Sequence, residues 1–117
     1  MAATEEVAHA LDTFVDRFSA EPRLKAMTAG WDRTIEVRAE DLPEPFWLRV
    51  EAGALRRLPE PAGAPELSMS AGSDLLRDLF LGKISPTEPY LTGDLRLVAS
   101  EADVMRLDVI TLMVWGE

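Results

Sequence analysis

The chain contains no cysteine. That single absence removes disulfides, thiolate chemistry and cysteine-ligated zinc together. Histidine is almost absent as well: His9 is the one copy. A serine–histidine–acid triad would have to use it, and it lies in a helical pattern with no nucleophile elbow nearby. His9 therefore reads as an exposed or boundary residue, and neither a catalytic residue nor a metal site is expected. Glycine-rich phosphate loops are missing too, since Gly53, Gly63 and Gly72 are isolated turn glycines. No apolar run approaches the ~20 residues that span a bilayer. The segment MAATEEVAHALD has no basic region and no apolar core, so no secretory signal is expected. Basic residues are scarce: 12 Lys and Arg stand against 21 Asp and Glu, a formal net charge of -9. Nucleic-acid phosphates and anionic membrane surfaces repel such a chain. We expect no nucleic-acid partner and no stable membrane insertion.

What is present is enough for one domain, 1–117, able to bury roughly two-thirds of its unfolded surface. Hydrophobic residues make up 47%, an ordinary globular share. Thr4-Glu5-Glu6 reads as the capped, acidic start of a helix. Val7, Leu11, Phe14, Val15 and Phe18 then form one apolar stripe. A cap at Ser19 and Leu24, Ala26 and Met27 give a short second helix ending near Gly30. From Trp31 the period changes to two. Trp31, Arg33, Ile35 and Val37 alternate with Asp32, Thr34, Glu36 and Arg38 in a half-buried strand. Phe46, Leu48 and Val50 repeat the pattern, Leu55 to Leu58 form a short third strand, and Leu67 and Met69 belong to a fourth. The proline-bracketed stretches AEDLPEP and PEPAGAP are loops. In the first of them Glu40, Asp41 and Glu44 lack the spacing of a calcium loop and read as a solvated turn.

The stretch from Ser70 to Ser100 changes structural type repeatedly. Ser73 and Asp74 offer a cap to a helix carrying Leu75, Leu76, Leu79 and Phe80, and Gly82 ends it. Ser85-Pro86-Thr87-Glu88 opens a small helix, with Ser85 as cap and Pro86 in the first position. Gly93 ends that one, and Leu95 and Leu97 alternate as a fifth strand. Ser100 to Asp103 cap a last helix whose residues Val104 to Trp115 are interrupted only by Arg106, Asp108 and Thr111. It is apolar around most of its girth, so two of its faces need cover. The elements sum to an α+β domain: a five-stranded, mainly antiparallel sheet with helices packed on one face.

This order resembles the sterol carrier protein type 2 family of lipid-binding domains. The matching residues are the Asp74–Phe80 helix, Gly82-Lys83-Ile84 followed by Pro86, the aromatic Tyr90, and Thr92-Gly93-Asp94-Leu95-Arg96-Leu97 leading into the last helix. The resemblance implies a sterol-carrier-like fold and a non-catalytic tunnel between sheet and helices holding one apolar ligand, without a cofactor. It places ligand contacts at Phe80, Tyr90, Leu95, Leu97, Met105, Val109, Leu112 and Met113, and more loosely at Ile35, Leu48 and Met69. Where the family often has a lysine-rich strand and a closing glycine, this chain has Asp94, Arg96 and Ala99, and Trp115-Gly116-Glu117 is no peroxisomal address. These departures point to a prokaryotic or cytosolic relative, hence a cytoplasmic location, and away from sterol itself.

Two functions compete. One is a carrier for a fatty acid, acyl-thioester, quinone, isoprenoid or sterol-like lipid, a partner of apolar small-molecule class. The other is an interaction module with a filled core, whose last helix forms a homodimer or docks to an enzyme partner. The strand arginines Arg33, Arg38, Arg49, Arg56 and Arg57 are either solvent-facing sheet charge or anchors for a ligand carboxylate or phosphate.

Overall fold

Helix α1 (Thr4–Ser19) buries Val7, Ala10, Leu11, Phe14 and Phe18, the stripe read from the sequence, with Val15 half-buried at its margin. Its cap is Ala3 rather than Thr4: the Ala3 N–H donates to Glu6 Oε1 at 2.9 Å, which satisfies an otherwise open end. Helix α2 (Pro22–Met27) is capped by Glu21, whose carboxylate accepts from the Arg23 N–H at 3.2 Å and from its guanidinium. Ser19 has no capping role, since its hydroxyl donates back to the Val15 carbonyl at 3.0 Å. The computed structural model describes residues 2–61 and 63–115. Met1, Ala62, Gly116 and Glu117 fall outside it, and the reading of the C-terminal tripeptide falls largely outside with them.

The strands are β1 (Arg33–Ala39), β2 (Phe46–Glu51), β3 (Ala54–Leu58), β4 (Leu67–Ala71) and β5 (Arg96–Val98). They form one sheet in the order β3-β2-β1-β4-β5. β1–β2, β2–β3 and β4–β5 pair antiparallel, whereas β1–β4 is parallel. The parallel pair follows from the long connection after β3, which returns the chain from the sheet edge to the far side of β1. A tight hairpin cannot make that connection.

Register puts the apolar alternates in rows on one face. Ile35 lies beside Leu48 and Leu67, and Val37 beside Phe46 and Met69. The opposite face is polar. There Arg49 donates to Thr34 Oγ1 at 2.9 Å, and Arg38 pairs with Glu36 at 3.1 Å. Helices cover only the apolar face, so the sheet has one dry and one wet side, as alternating patterns dictate.

Helix α3 (Ser73–Phe80) begins one residue earlier than a Ser73 cap would require. Gly72 is the cap position, and the capping oxygens come from a distant loop. Asp41 accepts from the Ser73 N–H at 2.8 Å and from its hydroxyl at 2.6 Å, and the same hydroxyl accepts from the Ala2 N–H at 3.0 Å. Those hydrogen bonds, the hydroxyl first, hold the Asp41 carboxyl below its ordinary range. The loop acid is a helix cap. After α3, Gly82 takes φ +76, and helix α4 (Thr87–Thr92) ends on Gly93 at φ +88. Pro86 occupies the cap position of α4, not its first turn, while Ser85 Oγ still accepts from the Thr87 N–H at 3.3 Å.

Helix α5 (Glu101–Trp115) closes the domain, with Ser100 as its cap. Ile110 and Val114 are its buried apolar residues. Its far end is pinned: a Cβ at Gly82 would overlap the Trp115 indole, and the Arg17 guanidinium lies 4.8 Å from the centre of the same ring. Glycine at position 82 is therefore required twice, for its left-handed backbone and for this close approach.

Candidate functional site

The space between the apolar sheet face and the helices is not completely filled. It holds a cavity of about 300 Å³, at the small end of the range for ligand pockets. The floor comes from the sheet: Ile35, Leu48, Val50, Leu55, Met69 and Leu97. One end is aromatic, with Phe14 and Phe18 of α1 against Phe80 of α3. Phe14 and Phe80 meet edge to face at 5.2 Å between centroids, the arrangement favoured by ring quadrupoles. Trp31 closes another side. The roof consists of Val104, Met105, Leu107, Asp108, Ile110 and Thr111 on α5, and of Pro86, Thr87, Tyr90 and Leu91 around α4.

Exposure locates the mouth. Leu91 is 78% and Met105 67% exposed, although both line the cavity. The opening therefore lies between α4 and α5, and the sheet end is the dry end. Two glycine stops set this up. Gly82 turns the chain away from α3, and Gly93 returns it to place Leu95, almost fully buried, against the wall.

A buried acid fixes the Trp31 wall. Asp103, in the first turn of α5, accepts from the Trp31 indole N–H at 2.8 Å and from the Arg33 guanidinium at 3.0 Å. Burial pushes this carboxyl up, but Arg33, Trp31 and Ser100 outweigh it and hold it below the ordinary range. Arg106 adds a bond to the Met27 carbonyl at 2.8 Å and lies 5.4 Å from the Trp31 ring centre. The start of α5 is thus locked to the start of β1. Farther along, α5 contributes lining residues only on the side that faces the sheet.

Among the residues named from the sequence, Phe80, Tyr90, Leu95, Leu97, Met105, Ile35, Leu48 and Met69 all sit on the cavity wall. Val109, Leu112 and Met113 do not. Val109 is 43% and Leu112 49% exposed on the outer side of α5, and Met113 packs half-buried beside the core. For Val109 and Met113 the reason is helical phase, since both fall outside the arc of α5 that carries Val104, Leu107, Asp108 and Thr111, whereas Leu112, nearer in phase, lies beyond Thr111, the last α5 residue on the wall. The structure adds Phe14 and Phe18, visible in the sequence as part of the α1 stripe, Trp31 and Val50, visible by strand alternation, and Leu55. It also adds Thr87, Leu91, Asp108 and Thr111, for which no sequence signal existed. None of the five strand arginines lines the cavity. Arg33 pairs with Asp103, Arg38 with Glu36, Arg49 and Arg56 with Glu51, and Arg57 with Asp12. Exposed His9 stands apart from the cavity. No helix among the described residues is long and apolar enough to cross a membrane.

No curated protein matches the chain. Solved structures do. The sterol carrier protein domain 2 of Helicoverpa armigera matches with a TM-score of 0.72 at 11% identity, over 99% of this chain and 94% of that one. Sterol carrier protein 2 from Aedes aegypti, in complex with palmitate, gives a TM-score of 0.65 at 9% identity, over 97% of this chain and 98% of its own. A stereoselective inverting sec-alkylsulfatase from Pseudomonas sp. gives 0.59 at 15% identity, where 74% of this chain spans only 14% of the longer enzyme. At these identities the likeness is one of fold. The family itself is shown by sequence, because its model matches residues 10–107, which contain every strand and the first part of α5. The chain belongs to the SCP-2 sterol transfer family.

Proposed function

We propose that this protein is a non-catalytic carrier that holds a single apolar chain in the cavity between the sheet and α5. The observation that carries the reading is a cavity of about 300 Å³ with an almost wholly apolar wall and a mouth between α4 and α5. Burying an apolar chain there gains roughly 0.8 kcal/mol per methylene. At about 30 Å³ per group, the liquid share of one water, the space takes about ten chain-sized groups. That suits a chain or the end of a longer one, and is too small for a whole sterol. The palmitate-bound protein from Aedes aegypti supports a single-chain ligand.

Delipidated protein should take up a fluorescent acyl chain with one-to-one stoichiometry. Ile110→Glu, placed on the wall, should abolish uptake, with circular dichroism to check that the fold survives. Leu112→Glu, on the outer side of α5, should leave uptake unchanged. Uptake that survives the first change and fails with the second would overturn the assignment of the site.

One observation favours a second reading. Met105, Val109 and Leu112 form an exposed apolar stripe along α5, and Tyr90 and Leu91 on α4 are exposed as well. Patches of this kind mark contacts with other proteins. The sec-alkylsulfatase shows the same fold within a longer enzyme chain. Under this reading the stripe forms a dimer or docks to an enzyme partner. Native mass spectrometry separates the two: a lipid-loaded monomer supports the carrier, and a ligand-free dimer supports the module.

A further inference from the structure

Among the described residues, the cavity wall contains no lysine, arginine or histidine. Its polar side chains, apart from the Trp31 indole already held by Asp103, are Thr87, Tyr90, Asp108 and Thr111. All of them belong to α4 and α5, the two helices that frame the mouth. The arrangement is therefore polarised, with an apolar floor on the sheet and every ligand-facing oxygen at the opening. The head of a bound chain would rest among these oxygens.

Their charge is one-sided: Thr87 and Tyr90 carry neutral hydroxyls that donate or accept, and Asp108 is the charged group among them. Asp108 is exposed and has no hydrogen bond or ion pair to any described residue, and a carboxylate only accepts. Thr111 donates its hydroxyl proton to the Leu107 carbonyl at 2.9 Å, so it faces a ligand as an acceptor. Arg106, two positions from Asp108, is committed to Met27 and Trp31. The formal charge of the chain, -9, adds a repulsive background for any anion.

We propose that the site selects apolar chains headed by a hydrogen-bond donor, of the long-chain alcohol class, and rejects the corresponding free carboxylic acids. Asp108 is the specificity-determining residue. This inference rests on the carrier reading and names the head group that reading leaves open. An alcohol hydroxyl donates to Asp108 and completes a pairing the protein leaves open. An ionised acid brings a second negative charge to a mouth without a counter-ion, which costs affinity at close range.

The test uses the full chain at neutral pH and low salt. Decanol and decanoate compete against an uncharged solvatochromic dye, for wild type, Asp108→Asn and Asp108→Lys. Wild type should favour decanol by about tenfold or more. Asp108→Asn should improve decanoate binding by about tenfold, and Asp108→Lys should reverse the preference. Because Asp108 is exposed and unpaired, both variants should unfold at the wild-type temperature. Decanoate affinity that is unaltered in both variants overturns the proposal while leaving the carrier reading intact. Failure of wild type to bind dye, decanol and decanoate alike overturns both.

Discussion

Filling the cavity should change stability by an amount set by its volume. By the relation for enlarged cores, ~24 cal/mol per Å³, a dry void of about 300 Å³ would cost about 7 kcal/mol. That rivals the whole stability of a typical domain, about 5–15 kcal/mol. A void so costly survives only if something occupies it, and the mouth between α4 and α5 admits water. The wall offers water few partners, so an apolar ligand should displace it with a gain. A ligand at about a hundred times its dissociation constant adds ~2.7 kcal/mol. In a domain of this size each kcal/mol raises the melting temperature by about 4 °C, for a shift of about 10 °C. The informative perturbation is Leu97→Trp. Leu97 lies on edge strand β5, lines the cavity and is half-buried, so a larger ring can project inward without disturbing a central strand. The variant should melt a few degrees above ligand-free wild type and show less than half the ligand-induced shift. Differential scanning calorimetry with and without decanol measures both quantities. A variant whose ligand-induced shift equals that of wild type would refute the reasoning, because it would place the ligand outside this cavity.

Two further perturbations test the frame that holds the site. Asp103→Asn leaves Arg33 without its counter-charge and should cost about 1–3 kcal/mol in urea unfolding. Asp103 and Asp41 both titrate below their unfolded values. Their contribution is full above about pH 4 and is lost as pH falls through the folded values. Wild type should therefore lose stability steeply below about pH 4, and Asp103→Asn less steeply; identical slopes would contradict the assignment. At Gly82, alanine meets both the left-handed backbone and the Trp115 indole, whereas Gly30, at φ +78, has open space where a Cβ would stand. Gly82→Ala should cost at least about 2 kcal/mol and Gly30→Ala about 1 kcal/mol, and equal costs in guanidinium unfolding would remove Trp115 from the explanation.

Periodicity made most of the fold legible. The alternation at Ile35, Val37, Phe46, Leu48, Leu67 and Met69 gives a sheet with one buried face whatever the topology, and the register then follows from matching those faces. Helix ends were less legible, for a physical reason. A capping oxygen need not come from the adjacent residue: Asp41 caps α3 from a loop that sequence distance separates from it. Arg33 shows the same limit. It falls on the apolar face by alternation, and only the packed structure supplies the Asp103 carboxylate that makes the position tolerable.

The site was legible in its floor and only in part in its roof. A strand has two faces, so a residue assigned inward is seldom misassigned. A helix apolar around its girth gives no phase, and α5 carries Leu107 and Leu112 with equal right to face the sheet. What sets the phase is not an apolar residue at all. Asp103 reaches Trp31 and Arg33 at one end of α5, and Trp115 seats against Gly82 at the other. With both ends fixed, the rotation of the helix is fixed. Val104, Leu107 and Thr111 must then turn inward, and Val109 outward. The same rotation brings Asp108 to the mouth of an otherwise apolar cavity. In this chain a charged anchor at one end of a helix and a glycine contact at the other decide which side chains a ligand would meet.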